Sequence, residues 1–238
     1  MRLGADYLAT GHYAKTDGEF IYKAEDLSKD QSYFLGQVSQ EVLPKLLFPM
    51  NKYTKEYIKI EASKIPQLAS IAKQKESQEI CFVDTVYTDI IQKYTKIDIP
   101  GKTLDIQGNV VGHHKGYMHY TIGKRRGFYV HGAHEPHFVT SMNKETNTIT
   151  VGKKEDLAIN YVVAKNLNMF VEDKTINCDV KLRFRSTTVK CDLIIDNDKV
   201  FITLKDPVFG VATGQTAVFY DNDKVIGSGW IEKTEFKK

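Results

Sequence analysis

The chain has 238 residues, 42% hydrophobic and 26% charged, the balance of a soluble globular protein with one large or two to three small cores. No apolar run approaches the roughly 18 residues that a membrane helix requires, and the opening M-R-L-G-A-D-Y-L-A-T-G-H-Y lacks the charged and apolar regions of a signal peptide. A net charge of +3 is too small to announce a nucleic-acid partner by itself, and three cysteines without a framework spacing argue for a reducing, cytoplasmic compartment.

The first region reads as mainly helical after an opening strand. Ala5-Asp6-Tyr7-Leu8-Ala9 is a short apolar run that stops at Thr10-Gly11-His12, so a strand feeds a tight loop. Gly11 suits a close approach of backbone to a nucleotide or to RNA, with the His12 imidazole beside it; a plain strand-to-loop turn accounts for the same residues. A second strand pair is expected near Phe20-Ile21-Tyr22-Lys23. Lys29-Asp30-Gln31-Ser32 opens a helical pattern that runs to Leu47 and is interrupted at Pro44, with Asp30 as N-cap. Thr54 caps the next helix, with Glu56 in its first turn and Ile58, Ala62 and Ile65 on one face. The polar run 73–79 is the best boundary in the chain. It leads into Glu79-Ile80-Cys81-Phe82-Val83, where Cys81 stands at the edge of a polar segment, reachable as a reactive thiol should be, or else simply structural.

From about 88 to 158 the pattern is short strands and tight turns. Residues 104–112 read as a hairpin around Gln107-Gly108-Asn109, and Phe138 to Met142 with Thr148 to Val151 as another. Gly123-Lys124-Arg125-Arg126-Gly127 is a glycine-bracketed basic cluster that fits a phosphate ridge or a solvated surface equally well. His131, His134 and His137 recur at three-residue intervals, but neighbouring Lys and Arg side chains repel a cation and only Glu135 accompanies them, so no bound metal is expected.

From about 159 to 238 five strands alternate clearly: 177–185, 189–195, 199–204, 217–220 and 225–231, punctuated by Asp-Asn-Asp turns at 196–198 and 221–223. Five or six antiparallel strands in so short a span suggest a small barrel or sandwich. Cys178 and Cys191 fall in phase with the apolar face and read as buried. On the strand containing Lys181-Leu182-Arg183-Phe184-Arg185, alternation buries Leu182 and Phe184 and leaves three cations on the other face.

L-G-A-D-Y-L-A-T-G-H-Y, K-D-Q-S-Y-F-L, E-I-C-F-V, Y-T-I-G-K-R-R-G and T-G-Q-T-A-V-F-Y, in this order and spacing, resemble the tRNA-specific 2-thiouridylases over essentially the whole chain. The resemblance implies an α/β remnant of a PP-loop ATP-pyrophosphatase domain with the Cys81 loop (1–87), a central β domain (88–158) and a C-terminal antiparallel β-barrel (159–238). It implies ATP, with Mg as its counter-ion, as the activating reagent, and Cys81 as the bearer of a persulfide. It places Gly11 against the nucleotide, and His12, Lys29, Asp30, Gln31, Lys124, Arg125, Arg183, Phe184 and Gln215 against tRNA. The partners it implies are tRNA and a sulfur-relay protein or cysteine desulfurase.

Two departures qualify the resemblance. The family's S-G-G-x-D-S phosphate loop and its first catalytic cysteine have no counterpart here, and whether Cys81 pairs transiently with such a cysteine the sequence leaves open, so the chain is expected to be an N-terminally truncated form, inactive alone, with another polypeptide as one source of the missing half. Residues 76–81, E-S-Q-E-I-C, replace a D-S-T-G-I-C-like run. An exposed apolar patch in residues 1–70 is expected to follow. The competing reading is a non-catalytic RNA-binding module with a structural Cys81.

Overall fold

The computed structural model describes residues 4–73, 87–132 and 134–237. Two compact units emerge. One combines the described parts of 1–75 with 160–206 and 213–235, and the other holds those of 76–159 with 207–212 and 236–238.

The first unit begins with β1 (Leu8–Ala9), the hairpin β2 (Ala14–Thr16) and β3 (Ile21–Lys23), α1 (Ser32–Leu35), β4 (Leu46–Leu47), α2 (Lys55–Ser63) and α3 (Ala69–Ala72). β1 and β4 pair in parallel, Leu8 opposite Leu46 and Ala9 opposite Leu47, as an α/β layer demands. Parallel strands are normally covered on both faces, yet Tyr7, Leu8 and Leu47 are exposed here. The helical pattern after Gln31 is shorter than expected. It yields one turn of α-helix and then a 3-10 turn, Gln40–Lys45, that includes Pro44. The reason is tertiary: at Gly36 an added Cβ would lie 3.1 Å from Ser228 and Val218, so the backbone there is pressed against the sheet. Thr54 does cap α2, its hydroxyl accepting from Tyr57 N at 3.2 Å, but the helix stops at Ser63 and leaves Ile65 exposed.

β10 (Ala158–Met169), β11 (Thr175–Lys181), β12 (Val189–Asp196), β13 (Lys199–Phe209), β14 (Thr216–Asp221) and β15 (Lys224–Glu235) form a six-stranded sheet in the order β10-β13-β12-β11-β14-β15, closed by pairing of β10 with β15. Closure removes the edges that an open sheet would expose. Cys178 and Cys191 are directly opposed and buried, with Sγ atoms 3.7 Å apart. Asn197 and Asn222 adopt positive φ (52° and 59°) at the two Asp-Asn-Asp turns, the left-handed geometry that tight hairpins need. Two expectations are corrected. β10 escaped detection because a register shift between Val163 and Ala164 buries Val162, Val163 and Ala164 in succession, which destroys the period of two. β11 ends at Lys181, so Arg183, Phe184 and Arg185 lie on a turn, closed by Ser186 N donating to Arg183 O, and not on one face of a strand.

The barrel sheet recruits β3 and β2 onto β15 through Tyr22 opposite Lys224 and Ile21 opposite Val225. β14 is therefore buried on both faces: Val218 and Tyr220 join Ile21, Tyr33, Leu35 and Leu43 in one core, while Ala217 and Phe219 alternate to the other side.

The second unit contains α4 (Tyr87–Gln92) and a five-stranded sheet of β5 (Gly101–Leu104), β6 (Val110–His114), β7 (Phe128–Val130), β8 (Phe138–Asn143) and β9 (Thr148–Gly152), ordered β7-β6-β5-β9-β8. Both expected hairpins form. All pairings are antiparallel except β5 with β9. Tyr120, Val139, Ile149 and Val151 make the core on one face. No helix among the described residues is long and apolar enough to cross a membrane.

Candidate nucleic-acid interface

Asp30 organises the loop before α1. It is buried, and its Oδ1 accepts from Ala24 N (3.1 Å) and Ser32 N (3.2 Å) while Oδ2 accepts from Ser32 Oγ (2.9 Å). The N-cap position belongs to Gln31, which makes no capping bond, so Asp30 acts one residue earlier as an Asx-type turn. Ser32 Oγ lies 3.1 Å from Tyr220 Oη and extends this polar network into the barrel. Gln31 ties two motifs together. Its backbone N donates to Tyr13 O (2.8 Å), and its Oε1 accepts from Tyr13 N (3.0 Å), which fixes the Gly11-His12 loop beside Lys29-Asp30-Gln31. His12 Nδ1 is 3.0 Å from Thr10 Oγ1, and its ring meets Phe48 edge-on at 6.5 Å. Gly11 is exposed, and an added Cβ would meet nothing within 4 Å, so nothing among the described residues requires glycine there.

Burial of Tyr33 next to Phe34 brings distant segments together. The Tyr33 hydroxyl donates to Thr216 O (2.8 Å), adjacent to Gln215, and burial pushes its pKa up to about 12. Phe34 stays 53% exposed and lies against Phe184 with ring centroids 4.3 Å apart, tilted by 36°; Tyr33 is 6.2 Å from the same ring. The Lys181 ammonium stands 5.7 Å from the Phe184 centroid and 6.0 Å from Tyr33. Burial holds it below the ordinary lysine value, and the Asp30 charge pulls it back up. Arg183 is exposed on the same turn. The Gln215 side-chain oxygen is buried and has no hydrogen-bond partner among the described residues, a state rare enough in proteins to suit an outside donor. The result is a partly exposed aromatic ledge with cations on its rim, the chemistry on which unpaired bases stack and phosphates rest.

Gly11, His12, Lys29, Asp30, Gln31, Arg183, Phe184 and Gln215 thus share the first unit, linked through Tyr13, Tyr33 and Phe34. Lys124 and Arg125 belong to the second. There the Lys124 ammonium turns inward: it donates to His119 O at 2.6 Å and lies 5.4 Å from the Tyr120 ring. Gly123 (φ 83°) and Gly127 (φ 96°) bracket the turn, and Arg125 and Arg126 are exposed. Cys81 lies outside the described residues. Among the described residues no three His, Cys, Asp or Glu side chains gather as a metal site. Tyr33 and Phe34 were not among the candidate residues, although two aromatic rings at the opening of a helix directly after the polar K-D-Q-S run were a usable signal.

A closed antiparallel barrel with such a ledge offers the chemistry that a single-stranded or looped nucleic acid needs. Residues 1–85 match the family described as tRNA methyl transferase HUP domain, residues 88–153 its PRC-barrel domain, and residues 158–231 the aminomethyltransferase beta-barrel domain. The chain is 57% identical over 231 residues to the tRNA-specific 2-thiouridylase MnmA of Sulfurimonas denitrificans, 58% over 233 residues to MnmA 1 of Aliarcobacter butzleri and 54% over 231 residues to MnmA of Campylobacter jejuni. These alignments cover 97%, 98% and 97% of the chain and 68% of each relative. The chain belongs to the tRNA-specific 2-thiouridylase family.

Proposed function

We propose that this chain is the part of a tRNA 2-thiouridylase that grips the anticodon loop and delivers sulfur to C2 of the wobble uridine. The supporting observation is the convergence of Lys29–Gln31, Arg183, Phe184 and Gln215 around Tyr33 and Phe34 from three distant stretches of sequence. Asp30, fully engaged inside the loop, acts by holding Lys29 and Gln31 in place, and Arg183, Phe184 and Gln215 address RNA directly. Lys124 shapes its turn while Arg125 meets the phosphates. The division into 1–87, 88–158 and 159–238 and a cytoplasmic location belong to the same reading.

In this reading ATP, with its Mg counter-ion, converts the uridine C2 oxygen into a leaving group. Among the described residues the open backbone at Gly11 suits contact with it, and no S-G-G-x-D-S loop occurs in the sequence, so the fit is incomplete. The reading requires that loop from outside the 238 residues, and the exposed Tyr7, Leu8 and Leu47 around the β1–β4 pair are apolar surface that such a segment would cover. The step assigned to this chain is nucleophilic. The terminal sulfur of a Cys81 persulfide, loaded by a relay protein or cysteine desulfurase, attacks C2 as the activated oxygen departs. An upstream cysteine would then release that sulfur by forming a transient disulfide with Cys81.

Thiol labelling read by peptide mass spectrometry tests the assignment. Cys81 should label fast and gain a persulfide when a cysteine desulfurase and cysteine are supplied. Cys178 and Cys191 should stay slow, because each is buried against the other, and that partner and burial hold Cys191 above the usual thiol range. Equal, slow labelling of all three would favour the RNA-binding module. With tRNA, ATP and a sulfur donor, the 238 residues alone should form no 2-thiouridine.

A further inference from the structure

The five-stranded sheet of the second unit has one face in its core and one in solvent, and the solvent face is not an ordinary mixed-charge surface. Cross-strand register aligns Tyr129, His113, Lys102, Thr148 and Asn143 in one row across all five strands. Four inter-strand gaps of roughly 4.8 Å make that row about 19 Å long. It contains no carboxylate; Glu145, in the β8–β9 turn, is the nearest acidic residue in sequence, and Lys144 precedes it. Tyr129 is 52% exposed. Its ring lies 5.4 Å from His113, tilted by 35°, and 4.9 Å from His131, edge-on at 89°.

Charge favours an anionic occupant. Residues 88–158 hold ten Lys and Arg against seven Asp and Glu, a surplus of three that equals the net charge of the entire chain, so the remaining residues balance to zero. Six of the seven histidines also fall here. Cross-strand stabilisation of the sheet explains a Tyr–His pair. It does not explain a third ring, His131, gathered at the exposed end of a row that continues into a lysine.

We propose that this face, centred on Tyr129, His113, His131 and Lys102, is a second RNA-contacting surface, on which an unpaired base packs against the Tyr129–imidazole group and the adjoining phosphate meets Lys102. The proposal rests on the reading of the chain as a tRNA-binding protein, but it places contacts outside the Phe34–Phe184 ledge. Aromatic side chains on open sheet faces bind single-stranded RNA in this manner, and such stacking tolerates any base.

The test is binding of a tRNA transcript to the full 238-residue chain by fluorescence anisotropy over a series of salt concentrations. Tyr129→Ala should weaken binding about five-fold or more, and Lys102→Gln should reduce the slope of log K against log salt by about 1. Neither should shift the unfolding midpoint appreciably, since both side chains are exposed. Ultraviolet cross-linking should place a nucleotide adduct on the peptide containing Tyr129. If wild type binds tRNA, Phe184→Ala weakens it and the sheet-face variants do not, the proposal falls while the ledge stands. If wild type binds no tRNA, the functional reading falls and takes this one with it. A change in oligomeric mass for Tyr129→Ala with unaltered tRNA affinity assigns the face to a second copy of the chain and overturns the RNA reading.

Discussion

Phe34→Ala separates a binding residue from a packing residue with unusual clarity. Phe34 is 53% exposed, and its principal contact is the Phe184 ring at 4.3 Å. An aromatic pair of this kind is worth about 0.5–1.5 kcal/mol beyond area burial, and the buried half of Phe34, on the order of 100 Å² at about 25 cal/mol per Å², adds roughly 2 kcal/mol, so the folding penalty should be about 2–4 kcal/mol. A base stacked on the ledge is worth about 1–3 kcal/mol. At 1.4 kcal/mol per decade that is a roughly 5- to 150-fold rise in Kd, whereas a stability loss that leaves the chain folded does not by itself change Kd, so urea unfolding of the variant and its RNA affinity report the two roles separately. The assay is anisotropy with an anticodon stem-loop RNA, repeated with an abasic nucleotide at each loop position in turn. Phe34→Ala should weaken binding to the intact loop and make little further difference once the stacked base is absent. Phe34→Leu, which keeps apolar bulk without a ring, should resemble Ala. Unchanged affinity for the intact loop, or equal losses with every abasic RNA, would refute the stacking role and reduce Phe34 to a partner of Phe184.

Asp30→Ala removes the acceptor for Ala24 N and both Ser32 donors, all buried. Unmade buried hydrogen bonds cost about 1–3 kcal/mol each, partly recovered by relaxation, so a loss of about 2–4 kcal/mol is expected in urea unfolding, with Asp30→Asn milder. Tyr33 titrates at about 12 when folded, against an ordinary value of 10.0. Its contribution is complete below pH 10 and is lost as pH rises through 12, because only the protonated hydroxyl is favoured in the buried site. The stability gap between wild type and Tyr33→Phe should therefore be largest at pH 8 and shrink by pH 11; a constant gap would contradict the assigned cause.

Much of the barrel was legible because its strands obey period-two alternation and its turns use Asp-Asn-Asp, features that local sterics and burial impose without reference to the rest of the chain. The same logic identified Cys178 and Cys191 as buried and Thr54 as a cap. It failed where the chain answers to distant residues. β10 was hidden by its register shift, α1 was cut to one turn by contact of Gly36 with Ser228 and Val218, and the strand leading to Arg183 ended at Lys181 because a turn was needed to bring Phe184 onto Phe34. The motifs were visible as separate strings of residues with chemistry suited to RNA and sulfur transfer. Their assembly was not visible, because it depends on contacts such as Tyr33 with Thr216 and Gln31 with Tyr13, which bridge 183 and 18 residues. Composition and periodicity determined which elements could form and which residues had useful chemistry. Only closure of the barrel, and its recruitment of the β2–β3 hairpin, decided which of them share a surface, since side-chain packing between distant segments leaves no periodic trace in the sequence.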